Sequence, residues 1–335
     1  MKRMKSLQFM LFAVLLLILA ACSNGAGQSQ PASEEPRPSA SQPSDQGAAE
    51  TGTRTITHLK GEAVIPSEID KIVVLTAEYI DHLLTIGEKP SGVNTEVRYG
   101  GEYLPYLADK LQGVQTVGSA DNPNLEAITL LDPDVILIES RTAENSYEQL
   151  NKIAPTIVLG NEWLDYGDDT SFWTKDLLTI AEMYDKTDLA KEKIAELEQK
   201  TVQASGKIKA LDSKKLAYLR VREKTLQVYA QQGHPTNALL YQDLGFEPAA
   251  LTPEEKRVDL SLEKIPELGA DFIVLEVDSN ARDFLDNMQA SALWKNIPAV
   301  QGGKVHETDS FWLFKGWGVI GRGEIIDEIM AWMEP

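Results

Sequence analysis

Two stretches of this chain, 137 residues apart, carry the same pattern. Leu125-Glu126-Ala127-Ile128, Leu131, Asp134 and the run Val135-Ile136-Leu137-Ile138-Glu139 form the first copy. Leu262-Glu263-Lys264-Ile265, Leu268, Asp271 and Phe272-Ile273-Val274-Leu275-Glu276 form the second, with no gap between matched positions. Each copy reads as a short amphipathic helix, a turn and a strand. The strand is apolar at successive positions, the mark of a parallel sheet covered on both faces. A unit of this kind cannot bury both faces alone, so its repetition predicts two related lobes.

The remaining apolar runs fit that plan. In the first lobe the strand candidates are Lys71–Thr76, Gly92–Asn94, Thr116–Val117, Val135–Ile138 and Thr156–Leu159. In the second they are Lys215–Val221, Leu226–Tyr229, Phe272–Leu275 and Lys304–Glu307. Helical stretches alternate with them, which predicts an α/β fold of two Rossmann-like lobes with parallel sheets. Residues 171–211 keep helical spacing throughout, so one long helix is expected to join the lobes and leave a cleft between them.

The chain starts with a leader. Lys2, Arg3 and Lys5 precede an apolar run from Leu7 to Ala20 that ends at Leu19-Ala20-Ala21-Cys22, with the chain's one cysteine at its edge. The run is short for a membrane span and lies where a signal peptide lies. Residues 23–53 are rich in Ser, Pro, Gln, Gly and Ala and offer little to bury, so they read as a flexible tether. The expected organisation is a signal peptide over 1–21, a tether over 22–53, a first lobe over 54–165, a linking helical region over 166–212 and a second lobe over 213–335.

Charge and motifs narrow the function. Of 335 residues, 51 are acidic and 32 basic, a balance against nucleic-acid binding. One cysteine excludes an intramolecular disulfide and a four-cysteine metal site. Gly316-Trp317-Gly318-Val319-Ile320-Gly321 spells GxGxxG, yet only fourteen residues follow it, too few for the strand and acidic residue that a dinucleotide site needs. It reads as a Gly-rich turn into a terminal helix. No P-loop, nucleophile elbow or local catalytic constellation is present.

The arginines are better placed than the lysines. Arg98, Arg141, Arg220, Arg222 and Arg282 fall at or just after expected strands, where open α/β sheets bind ligands. Arg220 and Arg222 are two apart and share a strand face. Arginines there predict an anionic ligand, with pairing to a nearby acid such as Glu223 as the bland alternative. Tyr79, Tyr99, Trp163, Tyr229, Phe311 and Trp312 occupy similar places and suit a bulky organic ligand.

The Leu19–Cys22 motif resembles a bacterial lipobox. With the tether, Lys71–Thr76, Leu125–Ile138, Ala154–Leu159 and the region from Trp173 to Ala181, it gives the chain a resemblance to the iron–siderophore substrate-binding proteins of ABC importers. The resemblance covers the whole mature body. It implies two lobes joined by one long helix, lipid on Cys22 and anchoring to the outer face of the cell membrane, as suits a Gram-positive surface. It implies a binding protein rather than an enzyme, monomeric, with an ABC permease dimer and a ferric siderophore as partners. It also implies that Glu126 and Glu263 dock the permease, and that Arg220, Arg222, Arg98, Arg141, Trp312, Tyr79, Tyr99 and Tyr229 line the ligand site. No cofactor or protein-bound metal is expected, because the siderophore itself chelates the iron. Catecholate binders of this family often use a basic cluster with histidine, and none is evident here, so hydroxamate or citrate-type ligands are favoured. The alternatives are cobalamin or haem on the same scaffold, the latter through Tyr79, Tyr99 or Tyr229, or an extracytoplasmic enzyme.

Overall fold

A computed structural model describes residues 52–96, 103–160, 172–308 and 312–333. The leader, Cys22 and nearly all of the tether lie outside the described residues, as do Arg98, Tyr99, Trp163 and Phe311. The described chain begins with an antiparallel hairpin, β1 (Thr53–His58) and β2 (Gly61–Pro66), which lies before the first of the expected strands.

The first lobe is a five-stranded parallel sheet. Its strands are β3 (Ile72–Val74), β4 (Gly92–Val93), β5 (Gln115–Thr116), β6 (Val135–Glu139) and β7 (Thr156–Leu159), in the order β5-β4-β3-β6-β7. Helices α1 (Ala77–Thr85), α2 (Leu125–Leu131) and α3 (Ser140–Leu150) connect them. The second lobe contains β8 (Lys215–Val221), β9 (Leu226–Val228), β10 (Glu247–Pro248), β11 (Val258–Leu260), β12 (Phe272–Val277) and β13 (Val305–Thr308). Its order is β11-β9-β8-β12-β13, with β10 against the start of β8. This sheet is mixed rather than all-parallel, because β9 returns directly on β8 as an antiparallel hairpin and carries β11 with it.

The repeat is real in three dimensions. β6 pairs in parallel with β3 and β12 with β8, so the repeated strand lies inside each sheet, next to its middle strand. Ile128 and Ile265 are both fully buried beneath it. The turn closes in the left-handed region each time, at Asp132 and Gly269. Asp134 then accepts the Lys71 N–H at 2.8 Å, and Asp271 accepts the Lys215 N–H at 2.9 Å, stitching the turn to the neighbouring strand. One difference is local. Leu125–Leu131 is α-helical, but Leu262–Leu268 winds as a 3-10 helix with Pro266 inside it. Proline there has no N–H for an α-helical bond and its ring crowds the preceding turn.

The linking region is two helices, not the single long one expected. α4 (Phe172–Met183) ends before Asp185, whose φ of 54° reverses the chain, and α5 (Thr187–Lys209) resumes after it. Arg54 of β1 closes a two-pronged ion pair on the Asp185 carboxylate, at 2.8 and 2.6 Å. Strand parity then assigns the cores. Ala217, Leu219 and Val221 of β8, with Ile273 and Leu275, pack in a core of the second lobe. Val73, Ile136 and Ile138 do the same in the first. The opposite faces, Val74 and Leu137 with Tyr218 and Val274, share one core with α4, α5 and the C-terminal helix α6 (Val319–Met333). Period-two alternation thus gives each sheet a private face and a shared one.

Candidate functional site

The carboxyl ends of β3, β4, β5, β6 and β8 open onto one cavity of about 510 Å³, a volume within the range of small-molecule sites. Each parallel strand must hand its chain to a loop or helix there, so the residues just past each strand become its lining. From the first lobe come Thr76 and Glu78 after β3, Asn94 and Glu96 after β4, Asp121 after β5, and Glu139 and Arg141 at the end of β6. From the second come Arg220, His234, Arg257 and Trp317.

The arginines there are held by acids. Arg220 Nε and Nη2 donate to the two oxygens of Asp278 at 2.7 and 3.1 Å, a fork-to-fork pair. Asp278, not Glu223, is the acid that the bland reading required. Arg141 donates to Glu139 at 3.0 Å and to Asp121 at 3.0 Å. Arg257 is exposed and makes no ion pair among the described residues. Arg222 does not line the cavity. β8 stops at Val221 and the Arg222 N–H turns to the Thr225 carbonyl, so the shared strand face expected for the two arginines ends one residue too early. Arg282 pairs with Glu307 at 2.6 Å and is also absent from the cavity wall.

The aromatics are corrected more sharply. Tyr79 is fully buried behind the wall and donates to Asp176 at 3.2 Å. Tyr229 is buried against Tyr218, with ring centroids 4.3 Å apart, and its hydroxyl faces Glu276. Trp312 is fully buried, donating its indole N–H to Glu328 at 2.7 Å while its carbonyl accepts the Thr236 hydroxyl at 2.7 Å. All three obey strand-end placement but point into the shared core. Phe314 and Trp317 are the aromatics on the wall, the latter set edge-on to His234 with ring centroids 5.4 Å apart. Trp317 lies inside the Gly-rich motif set aside as a turn. The histidine that seemed missing is His234, although burial, aided by Arg257, pushes its pKa down to about 3 and keeps it neutral.

That Gly-rich turn has a distinct task. Asp81 of α1 is fully buried and accepts the Ile320 and Gly321 N–H groups at 3.1 and 2.9 Å. A first-lobe side chain therefore caps the second lobe's terminal helix. A Cβ on Gly318 would overlap the Asp81 carboxylate, and one on Gly316 would overlap Thr236. Burial raises the Asp81 pKa to about 6 against the pull of those two N–H groups.

Two carboxylates of the first-lobe wall, Glu78 and Glu139, share this upward drift. Burial, then the nearby Glu139 and Asp176 charges, raise Glu78 well above the usual range. Burial raises Glu139 too, outweighing Arg141. Glu78, Asn94, Glu96 and Glu139 were not among the sequence candidates. The strand-end rule that selected arginines and aromatics would have found them had it been applied to acids.

A two-lobed α/β body with a cavity at its strand ends is the architecture of a ligand-capture protein. The chain belongs to the periplasmic binding protein family, whose model matches residues 72–310. It is 29% identical to the probable siderophore-binding lipoprotein YfiY of Bacillus subtilis, covering 98% of each chain. It is also 29% identical to the iron(3+)-hydroxamate-binding protein FhuD of the same organism, again over 98% of each. Among solved structures it superposes on the petrobactin-binding protein YclQ of Bacillus subtilis with a TM-score of 0.70, at 22% identity, covering 85% of this chain and 99% of that one.

Proposed function

We propose that this protein captures a ferric siderophore outside the cell and delivers it to an ABC permease. The observation that carries the reading is the cavity itself: about 510 Å³, at the strand ends, with Trp317 and two arginines on one side and a polar wall opposite. The siderophore-binding relatives supply the ligand class. Cobalamin and haem have less support, since Tyr79 and Tyr229, the described tyrosines considered for haem, are buried off the wall. Within the siderophores, a neutral ferric hydroxamate suits the site better than citrate or a triscatecholate. His234 is neutral and Arg220 is matched by Asp278, so the cations on the wall do not balance a multiply charged anion.

Cys22 is the proposed lipid attachment site. Glu126 and Glu263 are the proposed permease contacts. Both are exposed, on the first turn of the repeated helices, one per lobe. Replacing both with Ala should leave ligand affinity unchanged and impair uptake; normal uptake would refute the docking role.

The test of the reading is tryptophan-fluorescence titration with a neutral ferric trishydroxamate, ferric citrate and a ferric triscatecholate. The expected result is saturable quenching, tightest for the hydroxamate. No saturable response to any ferric complex would overturn the proposal.

A further inference from the structure

The first-lobe wall is rich in carboxylates. Among its described residues, Glu78, Glu96, Asp121 and Glu139 stand with one cation, Arg141, which Asp121 and Glu139 already engage. Glu78 makes no ion pair among the described residues. The N-termini of α1 and α3 also open on this wall, but each already has its own acid, Glu78 in the first turn and Glu139 at the cap.

Asn94 adds an independent observation. It is 2% exposed and lines the cavity. Its amide nitrogen donates to Glu96 Oε1 at 2.7 Å, which fixes the orientation of the amide. Its Oδ1 is thereby left as a buried acceptor with no donor among the described residues. A buried acceptor without a donor is costly, so this one marks a place for a ligand N–H or O–H. An ammonium group has three donors and no acceptor, and it carries the charge that the wall lacks.

We infer that the first-lobe wall is a subsite for a protonated amine on the bound ferric complex, held by Asn94 Oδ1 and the carboxylates of Glu78 and Glu96. The inference rests on the siderophore reading and narrows it to amine-bearing chelators. Burial first, then the like charges of Glu139 and Asp176, drives Glu78 upward, and a cation seated at this wall would oppose both.

The experiment compares two ferric complexes on the full chain purified in detergent. Ferrioxamine B is a linear trishydroxamate ending in a primary ammonium; its N-acetyl derivative replaces that ammonium with a neutral amide and leaves the ferric centre unchanged. The parent should bind the amine form about tenfold or more tightly than the acetylated one, the size of one charge-assisted hydrogen bond. Glu78→Gln should cut that advantage to under about threefold by weakening binding of the amine form. Melting curves for the variant confirm that it is folded. Equal affinities in the parent overturn the inference and leave the proposed function standing. So does binding of citrate or a triscatecholate alone. An undiminished preference in Glu78→Gln removes Glu78 from the subsite. Failure of every ferric complex to bind overturns the proposed function instead.

Discussion

The two walls of the cavity come from a duplicated unit, yet they are not alike. The first lobe supplies its wall from four parallel strand ends, and what those ends carry is mainly carboxylate and amide oxygen. The second lobe supplies one strand end, Arg220, and completes its wall from loops with His234, Arg257 and Trp317. Part of the cause is topological: β9 runs antiparallel to both its neighbours, so its carboxyl end is turned away from the cavity. A duplicated scaffold therefore presents an acceptor wall and a cation–aromatic wall, and a ligand must be polarised to suit both.

Asp81 ties the two walls together, and the largest expected effect comes from cutting it. Asp81→Ala strands the Ile320 and Gly321 N–H groups in a buried place and leaves a small void. The expected loss is about 2–4 kcal/mol of unfolding free energy, from a capping carboxylate with two charge-assisted bonds. Chemical denaturation measures it. Gly318→Ala should be destabilising by a related route, since its methyl would need the space of that carboxylate. A loss below about 0.5 kcal/mol in Asp81→Ala, the level of an ordinary surface change, would mean that the lobes are joined without this clasp.

Next in size is a contrast within the cation wall. Arg257 makes no ion pair among the described residues, so Arg257→Ala should weaken ferric-hydroxamate binding about tenfold with an unchanged melting temperature. Arg220 is largely buried with Asp278. Arg220→Ala leaves that acid unpaired and should lower stability as well as affinity. Equal thermal losses in the two variants would remove the distinction between a free and a committed guanidinium.

The sequence disclosed the frame of this molecule more fully than its site. The repeat placed β6 and β12 inside their sheets because a run buried on both faces has few other homes. The limits of β8 were legible for the same reason. Pairing direction was not: nothing in Leu226–Val228 distinguishes an antiparallel return from a parallel strand. The break at Asp185 was hidden too, because mixed charges around it keep helical spacing on both sides. At the site, strand-end logic found Arg141 and Arg220 but could not say which aromatics face inward. Tyr79, Tyr229 and Trp312 were diverted by hydrogen bonds to Asp176, Glu276 and Glu328, acids distant in sequence. Trp317 was hidden by its neighbours, whose glycines serve close approach to Asp81 and Thr236 rather than a phosphate.

The smallest expected effect lies behind the acceptor wall, where buried acids and buried histidines titrate in one pH window with opposite signs. Burial raises Asp176 to about 6, against its hydrogen bond from Tyr79. Its folded pKa is then above the unfolded value of about 4, so between the two the folded state holds more protons, and stability falls as pH rises. Burial lowers His82 to about 3. Its folded pKa is below the unfolded value of about 6.5, so there the folded state holds fewer protons, and stability falls as pH drops. Asp81 and Glu276, raised to about 6 and about 7, act with Asp176; His234, lowered to about 3, acts with His82. The opposing slopes largely cancel, and the parent's melting temperature should move by only about 2–4 °C between pH 7.5 and 5, the equivalent of roughly 1 kcal/mol. Single variants should unmask each half. His82→Gln should gain on the parent as pH falls below about 6.5, because only the parent then loses a buried neutral histidine. Asp176→Asn should lose ground to the parent between about pH 6 and 4, because only the parent gains from protonating its acid there. Thermal melts of the three proteins across that range decide the matter. If both variants track the parent in parallel at every pH, neither group changes its proton affinity on folding, and the wall's acids are better solvated than their burial implies.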